Sequence, residues 1–264
     1  MTKIMILQHV AREPVGTLIP LLKSAGFRLR FVNFARTPHL HPRLEGYSGL
    51  VVLGGPMGVY ETERFEHLKI EMKLIEEALK RELPVLGICL GSQLMARVLG
   101  SPVRKASCME FGWYPLQLTS SGIEEPLFSG FKPAERVFQF HQDNFDHPRS
   151  AEHLARTEIF EGQAFRYGKT AFGLQFHLEV DRAMIERWLN HPDHEKLLIE
   201  HGGGPFHRQK IASETECHLA RSMQLSRNLF GKFIELFATA PSQKELSGSK
   251  FSDQAGAKKK NRVG

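Results

Sequence analysis

Apolar and polar residues along the first hundred positions of this chain follow two periods, which predict strands and helices in turn. Short apolar runs of strand length alternate with longer amphipathic stretches of helical period. The predicted strands cover residues 3–9, 28–34, 49–53 and 84–89, and the predicted helices cover residues 15–25, 64–81 and the segment that ends at Gly100. Alternating strands and helices favour an α/β fold with a largely parallel central sheet and helices on both faces.

Beyond Val103 the pattern changes to shorter strands separated by turns. These strands are predicted over residues 113–118, 136–140, 153–157, 164–167 and 171–177. The pattern indicates a small antiparallel extension of the sheet, which returns the chain to the carboxyl ends of the parallel strands. In α/β proteins, chemistry-bearing side chains collect at that end.

The last quarter of the chain is predicted to lie outside a main domain over residues 1–190. Asp181 is expected to cap a helix that ends at Leu189. Residues 191–212 are predicted to form a loop, and its central Gly-Gly-Gly-Pro is interpreted as a hinge because the signature of a phosphate-binding loop is missing. A helix predicted over residues 214–237 completes a C-terminal extension over residues 191–239.

Charge is concentrated in a C-terminal tail over residues 240–264. The 264-residue chain carries a formal net charge of +6, and the tail alone carries +4 of it, from six basic and two acidic side chains. The tail is rich in Ser, Gly, Lys and Gln and is predicted to be solvated and disordered. We therefore expect no specific nucleic-acid partner.

Composition otherwise indicates a soluble enzyme of the cytoplasm. Hydrophobic residues make up 41% of the chain, and no apolar run approaches the roughly 20 residues that a membrane helix needs. The first residues begin a strand at once and show no leader pattern. The three cysteines, Cys89, Cys108 and Cys217, lack metal-ligand spacing and are odd in number, which favours a reducing compartment.

The segment around Cys89 has the spacing of a nucleophile elbow. Glycines lie two residues before and two residues after this cysteine, at a predicted turn from strand to helix. Gly87 and Gly91 lack Cβ atoms, so the strand and the helix can approach closely. Cys89 would then lie at a helix N-terminus, where the thiolate is favoured. The alternative is a buried structural cysteine at the end of a core strand.

A later apolar strand carries His177 and Glu179. Residues i and i+2 of a strand point to the same face, so this carboxylate can orient the imidazole. A cysteine nucleophile needs such a base with an orienting third group. Taken alone, a His-x-Glu pattern is more often a surface feature or an ion pair; after a cysteine elbow it indicates a catalytic triad.

Three motifs together resemble the class I (triad-type) glutamine amidotransferase family, including the amidotransferase domain of GMP synthase. They are Gly-Ile-Cys-Leu-Gly-Ser-Gln at 87–93, Gln-Phe-His-Leu-Glu at 175–179 and Leu-Gly-Gly-Pro-Met-Gly at 53–58, within a resemblance that covers about residues 1–190. The resemblance implies a flavodoxin-like sheet. Leu178 departs from the proline that the family often has between the histidine and the glutamate, but it leaves both side chains in place.

The resemblance also implies a role for each matching residue. Cys89 is the expected nucleophile, His177 the general base and acid, and Glu179 the residue that orients the imidazole. The remaining expected groups are the backbone N–H groups of Gly55 and Leu90, as the oxyanion hole, and the side chain of Gln93, for substrate binding. Apart from the family, a glycine pair before proline can expose an N–H group, although without the resemblance a plain turn after the strand is the favoured interpretation.

The histidines bear on two further points, metal binding and the choice of the general base. The thirteen histidines include the pairs His39/His41, His191/His194 and His201/His207, none of which matches a zinc arrangement, so we expect neither a metal nor another cofactor. His141, in a segment that resembles a strand end near the family's active site, is the alternative general base. It lacks the surrounding motif of His177.

The expected reaction is attack of the Cys89 thiolate on the side-chain amide of glutamine, which gives ammonia and a γ-glutamyl thioester that water hydrolyses to glutamate. The ammonia passes to a separate synthetase subunit, or the chain acts alone. One alternative is hydrolysis of a γ-glutamyl peptide or γ-glutamyl amine by the same triad. Another is a non-catalytic regulatory protein that keeps the fold.

Overall fold

The computed structural model of the protein describes residues 2–202 and 204–239, and its strands form one mixed sheet. In chain order the strands are β1 (Lys3–Gln8), β2 (Arg28–Asn33), β3 (Gly49–Val52), β4 (Val85–Ile88), β5 (Val103–Leu118), β6 (Ala134–Phe145), β7 (Glu152–Arg156), β8 (Ala164–Tyr167) and β9 (Ala171–Leu174). In space their order is β2-β1-β3-β4-β9-β8-β7-β5-β6. The pairs from β2 to β9 are parallel, and those from β9 to β6 are antiparallel. The predicted α/β fold is confirmed.

Helices cover both faces of this sheet. They are α1 (Leu18–Ser24), α2 (His67–Lys80), α3 (Leu90–Val98), α4 (Ser120–Glu124), α5 (Arg182–Leu189), α6 (Pro192–Gly202) and α7 (Pro205–Thr239). Apolar residues of α1 and α7 join the core on one face, and those of α2 and α3 join the core on the other. Successive side chains of β1 point to opposite faces of the sheet, so the strand contributes to both cores. Ile4 and Ile6 belong to the first core, and Met5 and Leu7 belong to the second.

The antiparallel extension is larger than the sequence predicts. β5 and β6 pair over most of their length, with a register shift between Lys105 and Glu110. The first five residues of β5 are mostly exposed and polar, so they lack the apolar alternation that marks a strand. The sequence therefore predicts only the last six residues of β5, over residues 113–118.

The predicted loop over residues 191–212 is wrong, because this segment forms α6 and the first turns of α7. The prolines Pro192 and Pro205 favour a loop in the sequence. They lie instead at the first position of each helix, where the missing N–H group costs nothing. The cap of α5 is confirmed, since the Met184 N–H group donates to the Asp181 carboxylate at 2.8 Å.

The long helix α7 is anchored along the whole domain. The Trp113 indole donates to the Thr215 hydroxyl at 3.0 Å, and the hydroxyls of Thr17 and Ser226 lie 2.6 Å apart. Near its end, Phe237 fills the space beside Gly49, where a Cβ would lie 2.2 Å from the phenyl ring. The helix is thus part of the main core.

No helix within residues 2–202 and 204–239 is long and apolar enough to cross a membrane. The basic tail predicted over residues 240–264 lies outside the described residues, and the domain boundary at residue 190 stays a prediction.

If α7 belongs to the core, truncating its buried face should destabilise the whole domain. Phe233 is fully buried against Phe172 of β9, so Phe233→Ala should lower the free energy of unfolding by about 3–5 kcal/mol. Phe206, on the same helix, is 83% exposed, and Phe206→Ala should change it by less than about 0.5 kcal/mol. Urea unfolding followed by circular dichroism measures both. Equal stability of the two variants would contradict the docking of α7.

Candidate active site

Cys89 lies at the turn from β4 to α3 with strained backbone geometry. Its φ is +52° and its ψ is −109°, a region that residues other than glycine rarely adopt. Close packing on both sides leaves no room for larger neighbours. A Cβ on Gly91 would lie 2.1 Å from the Val52 carbonyl oxygen, and one on Gly87 would lie 2.6 Å from the Gly91 carbonyl group. The structure thus has the geometry expected of a nucleophile elbow.

His177 and Glu179 are brought beside Cys89 by a change of strand partner. After β9 ends at Leu174, the chain crosses to β6, and the His177 N–H group donates to the Phe138 carbonyl at 2.8 Å. The Glu179 carbonyl accepts from the Thr17 N–H group at 2.9 Å, which ties the segment to the start of α1. The strand predicted over residues 171–177 ends earlier, at Leu174, so strand alternation does not place the pair. The two side chains meet nonetheless, with 2.7 Å between His177 Nδ1 and Glu179 Oε1.

Hydrogen bonding leaves one ring nitrogen of His177 for the nucleophile. Within the described residues, Nε2 is buried without a hydrogen-bond partner, while Nδ1 is held by Glu179. The Cys89 thiol lies 3.8 Å from the Phe140 carbonyl oxygen. The edge of the Trp188 indole packs on the imidazole with ring centres 4.9 Å apart, which fixes its orientation. Nε2 is therefore the ring nitrogen of His177 that is open to another group in the cleft.

Burial and charge set the proton affinities of the pair. Burial raises the pKa of the Cys89 thiol, although His177 opposes this shift. Burial alone would lower the pKa of His177, but the charges of Glu179 and Cys89 outweigh it and raise this pKa well above its usual value of 6.5. The imidazole thus holds a proton readily once Cys89 releases it.

The loop after β3 forms the opposite wall of the same cleft. Gly55 lines the cleft together with Cys89 and His177. A Cβ on Gly55 would lie 2.8 Å from Leu90 Cδ2, so this glycine is adjacent to the first residue of α3. The N–H groups in the first turn of a helix have no partner within the helix. Gly55 therefore lies on the cleft wall beside the side chain of Leu90, which is itself fully buried, and the pairing of the two backbone N–H groups as an oxyanion hole stays a prediction.

A profile of the Glutamine amidotransferase class-I family matches residues 16–186. The chain belongs to the class-I glutamine amidotransferase family. Among curated proteins, the glutamine amidotransferase-like protein YfeJ of Salmonella typhimurium is 29% identical over 239 residues, which cover 89% of this chain and 97% of YfeJ. A glutamine-hydrolysing GMP synthase of Pyrobaculum aerophilum is 33% identical over 151 residues, which cover 55% of this chain and 28% of that enzyme.

Solved structures agree with this assignment. A glutamine amidotransferase of Thermotoga maritima has a TM-score of 0.78 and 35% identity, and the match covers 89% of this chain and 98% of that chain. A second one, from Methylobacillus flagellatus, has a TM-score of 0.79 and 24% identity over 89% of this chain and 95% of that chain, and it shows the fold alone. The chain thus spans nearly all of YfeJ and of the Thermotoga protein, but only a part of the GMP synthase.

The family resemblance assigns Gln93 to substrate binding. Gln93 lines the cleft, and its side-chain nitrogen donates hydrogen bonds to other parts of the protein. Its Nε2 donates to the Asp143 carbonyl and to Gln175 Oε1, both at 3.1 Å. These bonds brace α3 against β6 and the segment after β9. A ligand would therefore meet the amide oxygen of Gln93 rather than its nitrogen.

His141, the alternative base in the sequence prediction, has both ring nitrogens occupied by groups other than Cys89. Nε2 lies 3.0 Å from Glu110 Oε2, and Nδ1 lies 3.0 Å from the Asp143 carbonyl oxygen. The ring lines the cleft and braces its floor. This geometry supports His177 rather than His141 as the base.

Several cleft residues escaped the sequence analysis. Arg12 and Glu13 follow β1, and Asp193, His194 and Leu197 belong to α6, which was predicted as loop. Glu13 follows a parallel strand, and the carboxyl ends of such strands meet at the site, so its position in the sequence could have predicted a place in the cleft. Its carboxylate is buried beside the triad, where a Cβ on Gly54 would lie 2.2 Å from Glu13 Oε2 and 3.3 Å from His177 Cε1. Burial raises the pKa of Glu13.

The Glu13 carboxylate should control the acidity of the nucleophile. Its negative charge adds to the burial that raises the pKa of Cys89. The neutral Glu13→Gln variant should therefore move the pH profile of Cys89 alkylation by iodoacetamide to lower pH, by about one unit. Intact-mass kinetics measure this profile. Glu61→Gln, at the rim of the same cleft, is the control, and an equal shift in both variants would contradict the assignment.

Proposed function

We propose that this chain hydrolyses the side-chain amide of glutamine through a γ-glutamyl thioester on Cys89. One observation carries the proposal: a strained cysteine and a glutamate-bound histidine with a free Nε2 lie together in one cleft. A buried structural cysteine would need neither the strain nor the oriented base. Membership of the family supports glutamine as the donor.

The proposed reaction begins with transfer of the Cys89 proton to His177 Nε2. The thiolate attacks the carboxamide carbon, and the backbone N–H groups of Gly55 and Leu90 stabilise the negative charge that develops on its oxygen. The tetrahedral intermediate collapses when His177 returns the proton to the leaving nitrogen, which releases ammonia. Water activated by His177 then cleaves the thioester to glutamate and restores the thiol.

Glu179 keeps this base ready at every step. A carboxylate at Nδ1 fixes the tautomer that leaves Nε2 facing the nucleophile, and it stabilises the imidazolium that forms. The raised pKa of His177 is consistent with this role. Protein side chains, backbone N–H groups and water supply all the groups that these steps use.

A γ-glutamyl peptide or γ-glutamyl amine is the second candidate donor. The observation in its favour is a cleft of about 480 Å³ that extends from Cys89 to Tyr60 and α6, which leaves space beyond an amide nitrogen. A glutaminase assay run beside a panel of γ-glutamyl compounds separates the two donor classes. For glutamine, the ammonia either leaves to solvent or enters a separate synthetase subunit.

A reducing compartment would suit the proposed chemistry. The cysteines Cys89, Cys108 and Cys217 are all free. A thiol nucleophile persists where glutathione keeps thiols reduced, which supports a cytoplasmic location.

A glutamine-like diazo ketone should label Cys89 alone. Cys89→Ala should abolish turnover, and it should leave the fold nearly unchanged because a smaller side chain still fits the elbow. Intact-mass and peptide mapping locate the adduct. Cys108 and the exposed Cys217 serve as internal controls. An adduct on either of them, or none at all, would contradict the nucleophile assignment.

Substitutions of His177 and His141 should show which of the two histidines acts as the base. His177→Ala should lower kcat by about 10³-fold or more, as loss of a triad member does. Glu179→Gln should cost less, since the amide still accepts a hydrogen bond but no longer stabilises imidazolium. His141→Ala, in the same cleft, should retain most activity. Steady-state kinetics test this order, and an inactive His141→Ala beside an active His177→Ala would overturn it.

A further inference from the structure

A buried cluster of titratable side chains lies behind the loop that carries Gly55, and the proposed reaction does not use it. His9 follows β1, while His67 and Glu71 lie one turn apart on α2. His9 and Glu71 are fully buried, and His67 is 4% exposed. The ring of Phe34 stacks on both histidines, and Phe34 itself belongs to the apolar core, so the cluster lies against that core.

The hydrogen bonds of His9 determine its charge. Nδ1 lies 2.8 Å from the Gly54 carbonyl oxygen, and Nε2 lies 2.7 Å from Glu71 Oε2. With Glu71 ionised, both partners of the ring are acceptors, so both ring nitrogens donate and the ring is an imidazolium. Glu71 also accepts from His67 Nδ1 at 2.8 Å, which spreads its charge over two donors.

The charges around the cluster agree with an ion pair. Burial alone would lower the pKa of His9, but the charge and hydrogen bond of Glu71 outweigh it, and the pKa is raised. Burial opposes the charged form of Glu71 as well, yet His9 and His67 lower its pKa. Glu13, from the β1–α1 loop, is the other charged group that faces His9.

The bond to Gly54 has a consequence for the next residue. The described chain holds no cis peptide, and in a planar trans peptide the C=O and N–H bonds point in opposite directions. The carbonyl of the Gly54–Gly55 peptide points to His9, so the N–H group of Gly55 points away from the cluster, on the side where Gly55 lines the cleft. A cationic donor on the carbonyl also polarises the peptide and strengthens its N–H group as a donor.

We propose that His9 is a positioning residue for the oxyanion hole: its protonated ring, balanced by Glu71, holds the Gly54 carbonyl and thereby aims the Gly55 N–H group at the reacting oxygen. This inference rests on the proposed function, because it needs an oxyanion to form beside Gly55. It assigns the cluster a role in the rate of acylation rather than in substrate binding.

A metal ion is the competing explanation of the same residues. His9, His67 and Glu71 offer ligand atoms within 4.8 Å of one another. A tetrahedral ion would hold two ligand atoms roughly 3.3 Å apart, given metal–ligand distances of about 2.0–2.1 Å. The observed nitrogen–oxygen separations of 2.7 and 2.8 Å fit shared protons better than a shared ion.

The chain offers a matched pair of variants that each keep one bond of His9. Asparagine places its amide nitrogen near the position of Nδ1, so His9→Asn can still donate to the Gly54 carbonyl. Glutamine places its amide nitrogen near the position of Nε2, so His9→Gln keeps the hydrogen bond to Glu71 and loses the one to the Gly54 carbonyl. We expect kcat to fall by roughly 10²-fold in His9→Gln and by about tenfold or less in His9→Asn, with KM nearly unchanged in both.

Two controls separate positioning from a general loss of structure. His67→Asn perturbs the same carboxylate from α2 and should leave kcat within about twofold of wild type. The rate at which iodoacetamide alkylates Cys89 should be unchanged in His9→Gln, because displacement at that carbon forms no oxyanion. Equal losses of kcat in His9→Asn and His9→Gln, or a parallel loss of alkylation, would overturn the proposal.

Nuclear magnetic resonance of the wild-type protein tests the charge directly, even if a variant fails to fold. With ¹⁵N-labelled histidine, both ring nitrogens of His9 should be protonated at pH 7. A neutral tautomer there, or one equivalent of bound metal in elemental analysis, would overturn the proposal. Absence of wild-type turnover on every γ-glutamyl amide would instead reject the proposed function, and this inference with it.

Discussion

The close approach of α3 to β3 behind Cys89 is the constraint on which the site depends. It is possible only because Gly91 faces the Val52 carbonyl oxygen, where a Cβ would collide. Strain of the Cys89 type costs on the order of 1–3 kcal/mol, and the surrounding structure must supply it. The Cys89 N–H group donates to the Leu174 carbonyl at 2.8 Å, so β9 holds the strained residue in place. The same strand then leads directly to His177.

Charge around the nucleophile is arranged in alternating signs that come from distant parts of the chain. Glu179 is paired with His177 in the cleft, and Glu71 is paired with His9 behind the loop that carries Gly55. Glu13 lies between them and faces both histidines. An unpaired buried charge would cost several kcal/mol, so each of these groups depends on its partner. Parallel strands that end at one edge make the arrangement possible, since they bring residues far apart in sequence within hydrogen-bonding distance.

The sequence predicts the features of the fold and of the site that depend on residues close together in the chain. Apolar runs in the sequence indicate the parallel strands, and the glycines that flank Cys89 indicate the turn from strand to helix. The sequence therefore predicts both the fold and the elbow. His177 and Glu179 were paired correctly because their spacing is short. His9 was overlooked because its partners, Gly54 and Glu71, are 45 and 62 residues away. Contacts of that range depend on topology, which no spacing in the sequence reveals.

The errors at residues 191–212 show how the same residue types can serve opposite purposes. Proline and glycine break regular structure in most contexts, but here Pro192 and Pro205 begin helices that the rest of the fold stabilises. The consequence reaches the cleft, because α6 lines it from beyond the segment that matches the family. In the proposed reaction the turn after β4 supplies the nucleophile and the segment after β9 its base, whereas α6 and the β1–α1 loop contribute further side chains to the cleft wall. The proposed chemistry and the rest of the cleft lining therefore come from separate segments of the chain.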